Sequence, residues 1–168
     1  ILVTLGTQDK SFKRLLDTVQ MHIDKGNIKD KVVVQAGCTE YESKDMEIFD
    51  LIDRDNFDKL INECDILITH GGVGSILAGL RNNKKVIVCP RLAKYNEHVN
   101  DHQMEIVEKF CDLGLILPLF ENDNLSNTSK LDLSEIKKEI EKQIKKEKKS
   151  LYDTVIIALE SLVGKRKN

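Results

Sequence analysis

Residues 66–80, with the sequence Ile-Leu-Ile-Thr-His-Gly-Gly-Val-Gly-Ser-Ile-Leu-Ala-Gly-Leu, decide the fold prediction. An apolar run precedes a glycine-rich turn and a second apolar segment follows it, which predicts a strand, a tight turn and a helix. The free N–H groups and the dipole at the start of a helix favour an anion, and glycines let a phosphate approach the backbone. Glycine turns also end strands for steric reasons alone, so the turn does not specify a ligand by itself. The predicted phosphate-binding residues are His70, Gly71, Gly72, Gly74 and Ser75.

A dense polar cluster follows the next apolar run, residues 85–90. In an open parallel sheet ligands bind outside the carboxyl ends of the strands, so this cluster and the glycine turn are expected to face one ligand. Hydroxyl-rich ligands such as sugars need donors and acceptors at this density. A solvated loop before a helix capped by Asn100 or Asp101 would explain one or two of these residues, but not the whole cluster. The predicted ligand-binding members are Glu97, His98, Asn100, Asp101, His102 and Gln103.

Short apolar runs alternate with segments of helical period through the first 117 residues. Strands are predicted at residues 1–5, 32–36, 47–49, 66–69, 85–89 and 115–117, and helices at 12–23, 57–61, 75–82 and about 100–111. This alternation predicts an α/β fold, a doubly wound, Rossmann-like parallel sheet.

The last 47 residues differ in composition from the rest of the chain. Residues 122–130 are rich in Asn, Ser and Thr, which predicts a loop, and residues 133–144 and 151–162 carry apolar stripes at helical spacing. Such amphipathic helices dock on the sheet of their own domain, or they bind a partner or an anionic membrane surface, for which the many lysines are suited.

Composition fits one cytosolic domain. A chain of 168 residues with 40% hydrophobic residues can bury a core, and its net charge of -2 argues against a nucleic-acid partner. No apolar run approaches the roughly 18 residues of a membrane-spanning helix, and we expect no signal peptide. Four widely spaced cysteines without a C-x-x-C pair are expected to be reduced core residues, with metal binding or disulfides as the alternative. They are Cys38, Cys64, Cys89 and Cys111.

Three separated segments resemble the carboxy-terminal half of the family 28 glycosyltransferases, which have the GT-B architecture. They are residues 1–16, the glycine turn at 70–75, and the Glu-His-Val-Asn-Asp-His-Gln segment at 97–103. Within the family the sequence is most similar to small single-domain subunits of bacterial capsule and exopolysaccharide synthesis and to their eukaryotic counterpart in dolichol-linked oligosaccharide assembly. The resemblance implies a nucleotide-sugar-binding, Rossmann-like domain at 1–120. It leaves 121–168 as a loop and C-terminal helices that pack on the same domain or on a partner.

The resemblance also assigns roles to individual residues. Gly6, Thr7 and Gln8 match the first glycine turn of the family, near the diphosphate of a UDP-sugar, and the turn at 70–75 matches the main diphosphate turn. Residues 97–103 match the segment that meets the sugar and the ribose. Many relatives have an acidic residue that holds the ribose hydroxyls where this chain has Ala78. Either Glu97 or Asp101 replaces that contact, or nucleotide affinity is reduced.

The implied activity is an inverting, metal-independent transfer of a sugar, galactose by the capsule-type likeness, from a UDP-sugar to a lipid-linked saccharide acceptor. Two alternatives stay open, a UDP-N-acetylglucosamine transferase subunit and a non-catalytic nucleotide-sugar-binding or stabilising subunit. The sequence contains no Asp-x-Asp metal motif, so no metal or other cofactor is expected. The candidates for the catalytic base are His98 and, less specifically, His70 and His102.

In two-domain relatives the acceptor side of the cleft comes from the other domain. The resemblance therefore implies a membrane-anchored partner that binds the acceptor and holds this chain at the cytoplasmic face of the membrane. A Rossmann-type domain for NAD or ATP is a further hypothesis. It is disfavoured because the first turn, Gly6-Thr7-Gln8-Asp9, is not G-x-G-x-x-G and no Walker lysine follows a glycine loop.

Overall fold

A single parallel sheet of six strands organises the described part of the chain, residues 1–119 of a computed structural model. The order across the sheet is β3-β2-β1-β4-β5-β6, and every neighbouring pair is parallel. The predicted doubly wound, Rossmann-like α/β fold is confirmed. The strands are β1 (Leu2–Thr4), β2 (Val32–Gln35), β3 (Met46–Phe49), β4 (Ile66–His70), β5 (Lys85–Cys89) and β6 (Leu117–Pro118).

Four α-helices and one 3₁₀ turn connect the strands. They are α1 (Lys13–Asp24), α2 (Arg54–Glu63), α3 (Val73–Arg81), the 3₁₀ turn Ala93–Tyr95, and α4 (His102–Asp112). Helix α3 begins two residues before the predicted start, because the N–H of Ile76 already donates to the carbonyl of Gly72.

The last strand was predicted at residues 115–117, and that position is wrong by two residues. Gly114 adopts a positive φ of 68°, and the N–H of Leu115 donates to the carbonyl of Phe110. The backbone of Leu115 therefore closes the end of α4, and only from Leu117 does the chain pair with β5.

Two apolar clusters fill the two faces of the sheet, because successive strand residues point to opposite sides. Leu2 and Leu67 pack with α2, α3 and α4 on one face. Val3 and Ile68 pack with α1 on the other face. Each face is therefore covered by helix, as a parallel sheet requires.

The order of strands reverses at one point of the sheet, between β1 and β4. Strands β1 and β4 are adjacent, and the chain continues from β1 toward one side of the sheet and from β4 toward the other. Ligands of open α/β sheets bind at such a reversal of strand order. The turns that follow β1 and β4 are the two glycine turns singled out in the sequence.

Three further expectations concern composition and the tail. Cys64 and Cys89 are buried as expected, whereas Cys38 is exposed in the loop after β2, so the expectation of a core position is wrong there. No helix within residues 1–119 is long and apolar enough to cross a membrane. The helices predicted at 133–144 and 151–162, and the segment 121–168 as a whole, lie outside the described residues.

Candidate functional site

The two glycine turns meet around the imidazole of His70. Gly6 has a φ of 77°, which favours glycine, and a Cβ placed on it would lie 2.5 Å from Nε2 of His70. A Cβ on Gly72 would overlap Cε1 of the same ring. The missing side chains at these two positions therefore make the space that the ring of His70 occupies at the end of β4.

Helix α3 begins at this point with open backbone donors. Its N-cap residue is Gly72, which has no side chain to cap the helix, and the first intrahelical bond is donated by Ile76. The N–H groups of Val73, Gly74 and Ser75 precede that bond. Gly74 is exposed, and a Cβ on it would meet nothing within 4 Å. The start of α3 is thus open, and its free N–H groups are accessible.

His70 is a buried, neutral hydrogen-bonding group. Its Nδ1 accepts from the N–H of Gly72 at 3.1 Å, and its Nε2 lies 3.5 Å from Oγ of Ser75. Burial, and next the positive charge of Arg91, lower the pKa of His70 to about 4. At neutral pH the ring is uncharged, so it suits donation of a hydrogen bond better than acceptance of a proton.

Gln103 of α4 reaches beneath the glycine turn. Its Oε1 accepts from the backbone N–H groups of Gly71 and Arg91, both at 3.0 Å, and its Nε2 lies 3.3 Å from Nδ1 of His70. A Cβ on Gly71 would lie 2.7 Å from Cβ of Gln103. This side chain was expected to face a ligand, but it lies in the interior, where its amide oxygen accepts from the residues that follow β4 and β5.

Glu97 also points inward. Its carboxylate accepts from Nε and Nη2 of Arg14, both at 2.8 Å, and from the N–H of Leu92 at 3.0 Å. Arg14 further donates to the carbonyl of Pro90. The side chain of Glu97 is only 4% exposed. This carboxylate connects α1 to the loop after β5.

Arg91 was not singled out in the sequence analysis. It is 1% exposed, and its guanidinium donates to the carbonyl oxygens of Leu5, Lys10 and Glu97 while stacking on the ring of Phe12. The signal in the sequence is a basic residue directly after the apolar run 85–90. Its charge lies below the carboxyl edge, near enough to His70 to depress the pKa of that ring.

The other predicted residues lie at the surface of the same edge. His98 is half-buried and its Nδ1 accepts from the N–H of Asn100, whose Oδ1 accepts from the N–H of His102. Asp101 accepts from the N–H of Ala93. Next to Gly6 in the chain, Thr7 is exposed and Gln8 is half-buried. The polar cluster thus divides in two. Glu97 and Gln103 are buried and support the loop from inside, whereas His98, Asn100, Asp101 and His102 are partly or fully exposed.

The start of α3, His70 and the two glycine turns thus form one accessible region at the carboxyl edge of the sheet. The sequence model of the glycosyltransferase family 28 C-terminal domain matches residues 1–155. This chain belongs to that family. Within residues 1–119 of this family 28 domain, no group of three or more His, Cys, Asp or Glu residues is placed to hold a metal ion.

Two fungal proteins that are similar to this family 28 domain are named as transferase subunits. The UDP-N-acetylglucosamine transferase subunit ALG13 of Debaryomyces hansenii is 29% identical over 124 residues, which are 74% of this chain and 56% of that protein. The protein of the same name from Candida glabrata is 35% identical over 91 residues, 54% of this chain and 42% of that protein. The chain therefore spans about half the length of these relatives.

The crystal structure of the glycosyltransferase SnogD from Streptomyces nogalater has the same fold as this family 28 domain. It aligns with a TM-score of 0.55 at 15% identity, over 96% of this chain and 43% of that protein. This similarity concerns the fold alone, which it supports independently of the sequence match.

Proposed function

We propose that this chain is the donor-binding part of a UDP-sugar-dependent glycosyltransferase, with UDP-N-acetylglucosamine as its donor. One observation carries the proposal: the glycine turns after β1 and β4 meet at His70, beside the open start of α3, where the strand order reverses. Membership of a glycosyltransferase family supports the proposal that the anion bound here is the diphosphate of a nucleotide sugar.

The site can bind a diphosphate through neutral donors. The N–H groups of Val73, Gly74 and Ser75, the hydroxyl of Ser75 and Nε2 of His70 all lie at the start of α3. Donors fixed before the reaction stabilise the charge that develops on a departing diphosphate without rearranging. The positive end of α3 and the buried charge of Arg91 also stabilise the negative charge of a diphosphate. We therefore propose transfer without a metal or other cofactor.

The identity of the sugar follows the relatives. Both ALG13 proteins are named as subunits of a UDP-N-acetylglucosamine transferase. They favour the alternative stated in the sequence analysis over galactose transfer in bacterial capsule or exopolysaccharide synthesis, for which these relatives provide no support. The name "subunit" also supports a partner. We propose a membrane-anchored partner that binds a lipid-linked saccharide acceptor and holds this chain at the cytoplasmic face of the membrane.

The base for the acceptor hydroxyl is proposed to be His98 or a group of the partner. His98 is the accessible histidine of the loop after β5, whereas His70 is a weak base because its pKa is about 4. A subunit that binds the donor without supplying the base is a second candidate. In this second candidate Ala78 marks a weakened ribose contact. It stands where the resemblance implies an acidic residue, and Arg14 binds the carboxylate of Glu97, one of the two residues expected to replace that contact.

The proposal is tested by saturation-transfer NMR on the full chain with UDP, UDP-N-acetylglucosamine, UDP-galactose, UDP-glucose and ADP. We expect signal for the uridine ligands, strongest for UDP-N-acetylglucosamine. Equal signal for ADP would contradict a uridine nucleotide site, and stronger signal for UDP-galactose would return the proposal to the capsule-type donor.

The two candidate functions are separated in the reconstituted pair of this chain and its acceptor-binding partner. If His98 is the base, His98→Ala abolishes sugar transfer while the chain still binds UDP. Ser75→Ala weakens UDP binding in both cases. Transfer that is unaffected by His98→Ala would assign the base to the partner.

A further inference from the structure

The orientation of the Gln103 amide is set by the backbone around it. Its oxygen accepts two N–H groups, from Gly71 and Arg91, each at 3.0 Å. The opposite orientation would place the NH₂ group against two N–H donors, and buried donors need acceptors. The NH₂ group of Gln103 therefore faces Nδ1 of His70, at 3.3 Å.

This orientation decides which nitrogen of His70 carries the proton. An NH₂ group only donates, so Nδ1 must present its lone pair to Gln103. The N–H of Gly72 points at the same nitrogen from 3.1 Å and requires the same lone pair. Two donors on Nδ1 leave the single proton of the neutral ring on Nε2.

Nε2 is the nitrogen that faces the site. It lies 3.5 Å from Oγ of Ser75, and it is the atom nearest to the position that a Cβ of Gly6 would take. With the proton on Nε2, the hydroxyl hydrogen of Ser75 is not drawn to the ring and stays available for a ligand. With the proton on Nδ1, a lone pair would face the anion and the Ser75 hydroxyl would donate to the ring.

We propose that Gln103 is a positioning residue, which locks His70 as the Nε2–H tautomer and so keeps two donors directed at the site between the glycine turns. Its effect on ligand affinity rests on the proposed function, whereas the tautomer does not. Arg91 and His98 are the charged or titratable groups that act on the pKa of the ring, and the guanidinium of Arg91 has no acceptor to offer Nδ1. In this role Gln103 acts through His70 and need not contact the sugar.

The first test measures the tautomer of the unmodified full chain by two-bond ¹H–¹⁵N NMR at pH 7. We expect a pyridine-like Nδ1 and a pyrrole-like Nε2 for His70. A protonated Nδ1 would overturn the proposal without any variant or ligand.

The second test uses Gln103→Glu. The carboxylate keeps an acceptor for the N–H groups of Gly71 and Arg91 but turns an oxygen toward His70, so Nδ1 becomes protonated. Asn62→Asp is the matched control, because it also replaces an amide by a carboxylate. Asn62 is an exposed residue at the end of α2, toward the opposite edge of the sheet, so this variant should leave the His70 spectrum unchanged. An unchanged tautomer in Gln103→Glu would show that Gly72 alone sets it and would overturn the role of Gln103.

The third test is a double-mutant cycle on UDP affinity. Gln103→Glu is expected to weaken UDP binding roughly tenfold in the chain with His70, as the loss of one hydrogen bond to a charged group does. In the His70→Ala background the same change should have a smaller effect, because the added negative charge still repels an anion but no tautomer remains to be changed. An equal loss in both backgrounds would mean that Gln103 acts on the ligand directly. If the tautomer is as expected but no UDP binds, the proposed function fails and the lock stands.

Discussion

Two glycines of α3, Gly74 and Gly79, differ in what surrounds them, and the difference separates ligand binding from folding at the scale of single residues. A Cβ on Gly74 would meet nothing within 4 Å, so this glycine is not required by the packing of the described chain. A Cβ on Gly79 would lie 2.7 Å from side-chain atoms of both Leu67 and Val86. Gly79 thus allows α3 to lie close against β4 and β5, whereas Gly74 leaves room at the start of the helix.

Gly74→Ala is therefore expected to keep the fold and lose the ligand. Alanine in a helix is more favourable than glycine, so the free energy of unfolding should rise by about 0.5 kcal/mol. UDP affinity should fall roughly tenfold, because the methyl group occupies the approach of a phosphate. Urea denaturation and UDP titration measure the two effects. As the matched control, Gly79→Ala should destabilise the fold by about 1–3 kcal/mol through overpacking. Full UDP affinity in Gly74→Ala would argue against a phosphate at the start of α3.

His70 gives the stability of the chain a pH dependence whose sign follows from its pKa. The folded protein binds the His70 proton only near pH 4, whereas an unfolded histidine binds it near 6.5. Stability from this group is complete above pH 6.5 and is lost as the pH falls toward 4, up to roughly 3 kcal/mol. Urea denaturation between pH 4.5 and 7.5 should show His70→Gln with a flatter profile than the unmodified chain. The pKa of His22 is also lowered, but its ring is less buried than that of His70. His22→Gln should therefore flatten the pH profile of stability less than His70→Gln does. Parallel profiles for His70→Gln and the unmodified chain would contradict the lowered pKa.

The sequence predicted which single residues gather at the carboxyl edge better than it predicted which way they point. The glycines at 6, 71, 72 and 74 and His70 lie where the pattern placed them. Glu97 and Gln103 were expected to face a ligand, but their side chains are buried against other parts of the protein. Their partners explain this: Arg14 is 83 positions away from Glu97, and Gly71 is 32 positions away from Gln103. Burial of a polar side chain depends on such distant partners, which no local pattern contains.

At the scale of elements, the Arg14–Glu97 pair connects α1 to the loop after β5. Arg14 is held by both carboxylate oxygens of Glu97 and by the carbonyl of Pro90, and its guanidinium also lies over the rings of Phe12 and Tyr95. Because the Glu97 side chain is almost fully buried, the pair is little screened by solvent. The loop that carries His98 is therefore fixed against α1.

Glu97→Gln is expected to lower the free energy of unfolding by about 1–3 kcal/mol, because it leaves the Arg14 charge without its carboxylate. Glu105→Gln is the matched control. It removes a carboxylate that is 72% exposed from its contact with His102, and should change stability by less than about 0.5 kcal/mol. Thermal or urea denaturation distinguishes the two. Equal stabilities of both variants would mean that the buried pair contributes little.

The boundaries of elements were predictable where apolar period alone sets them. Strands β4 and β5 and helix α1 match the expected ranges within one residue. The errors occur where hydrogen bonding overrides hydrophobicity. Residues 115 and 116 are as apolar as a strand, yet the N–H of Leu115 is used to close α4. The 3₁₀ turn Ala93–Tyr95 likewise depends on a side chain, Asp101, that bonds the N–H of Ala93.

At the scale of the whole molecule, the order of strands could be anticipated only as a class. Alternation of strands and helices predicts a parallel sheet, but the adjacency of β1 and β4 results from which edge each crossover takes. That adjacency brings the glycine turn at Gly6 and the turn at Gly72 together around His70. The resemblance to family 28 implied this pairing, since it matched Gly6, Thr7 and Gln8 and the turn at 70–75 to the diphosphate of one nucleotide sugar.

A site built from the whole carboxyl edge should stabilise the whole fold when it is filled. With free UDP at about a hundred times its dissociation constant, the free energy of unfolding should rise by about 2.7 kcal/mol. Thermal unfolding with UDP, and with ADP as the control, measures the shift. Because Gly74→Ala is expected to bind UDP roughly tenfold more weakly, its shift at the same concentration should fall to about 1.4 kcal/mol. An identical shift with ADP would contradict selectivity for the uridine nucleotide.

The guanidinium of Arg91 joins several segments of the carboxyl edge through hydrogen bonds. One guanidinium holds the carbonyl oxygens of Leu5, Lys10 and Glu97, which belong to the segments on either side of the first glycine turn and to the loop that carries His98. None of these segments can move outward without breaking a bond to the same buried group. In native-state hydrogen exchange, the amides of residues 5–10 and 91–98 should therefore open together, as a single cooperative unit with one common free energy.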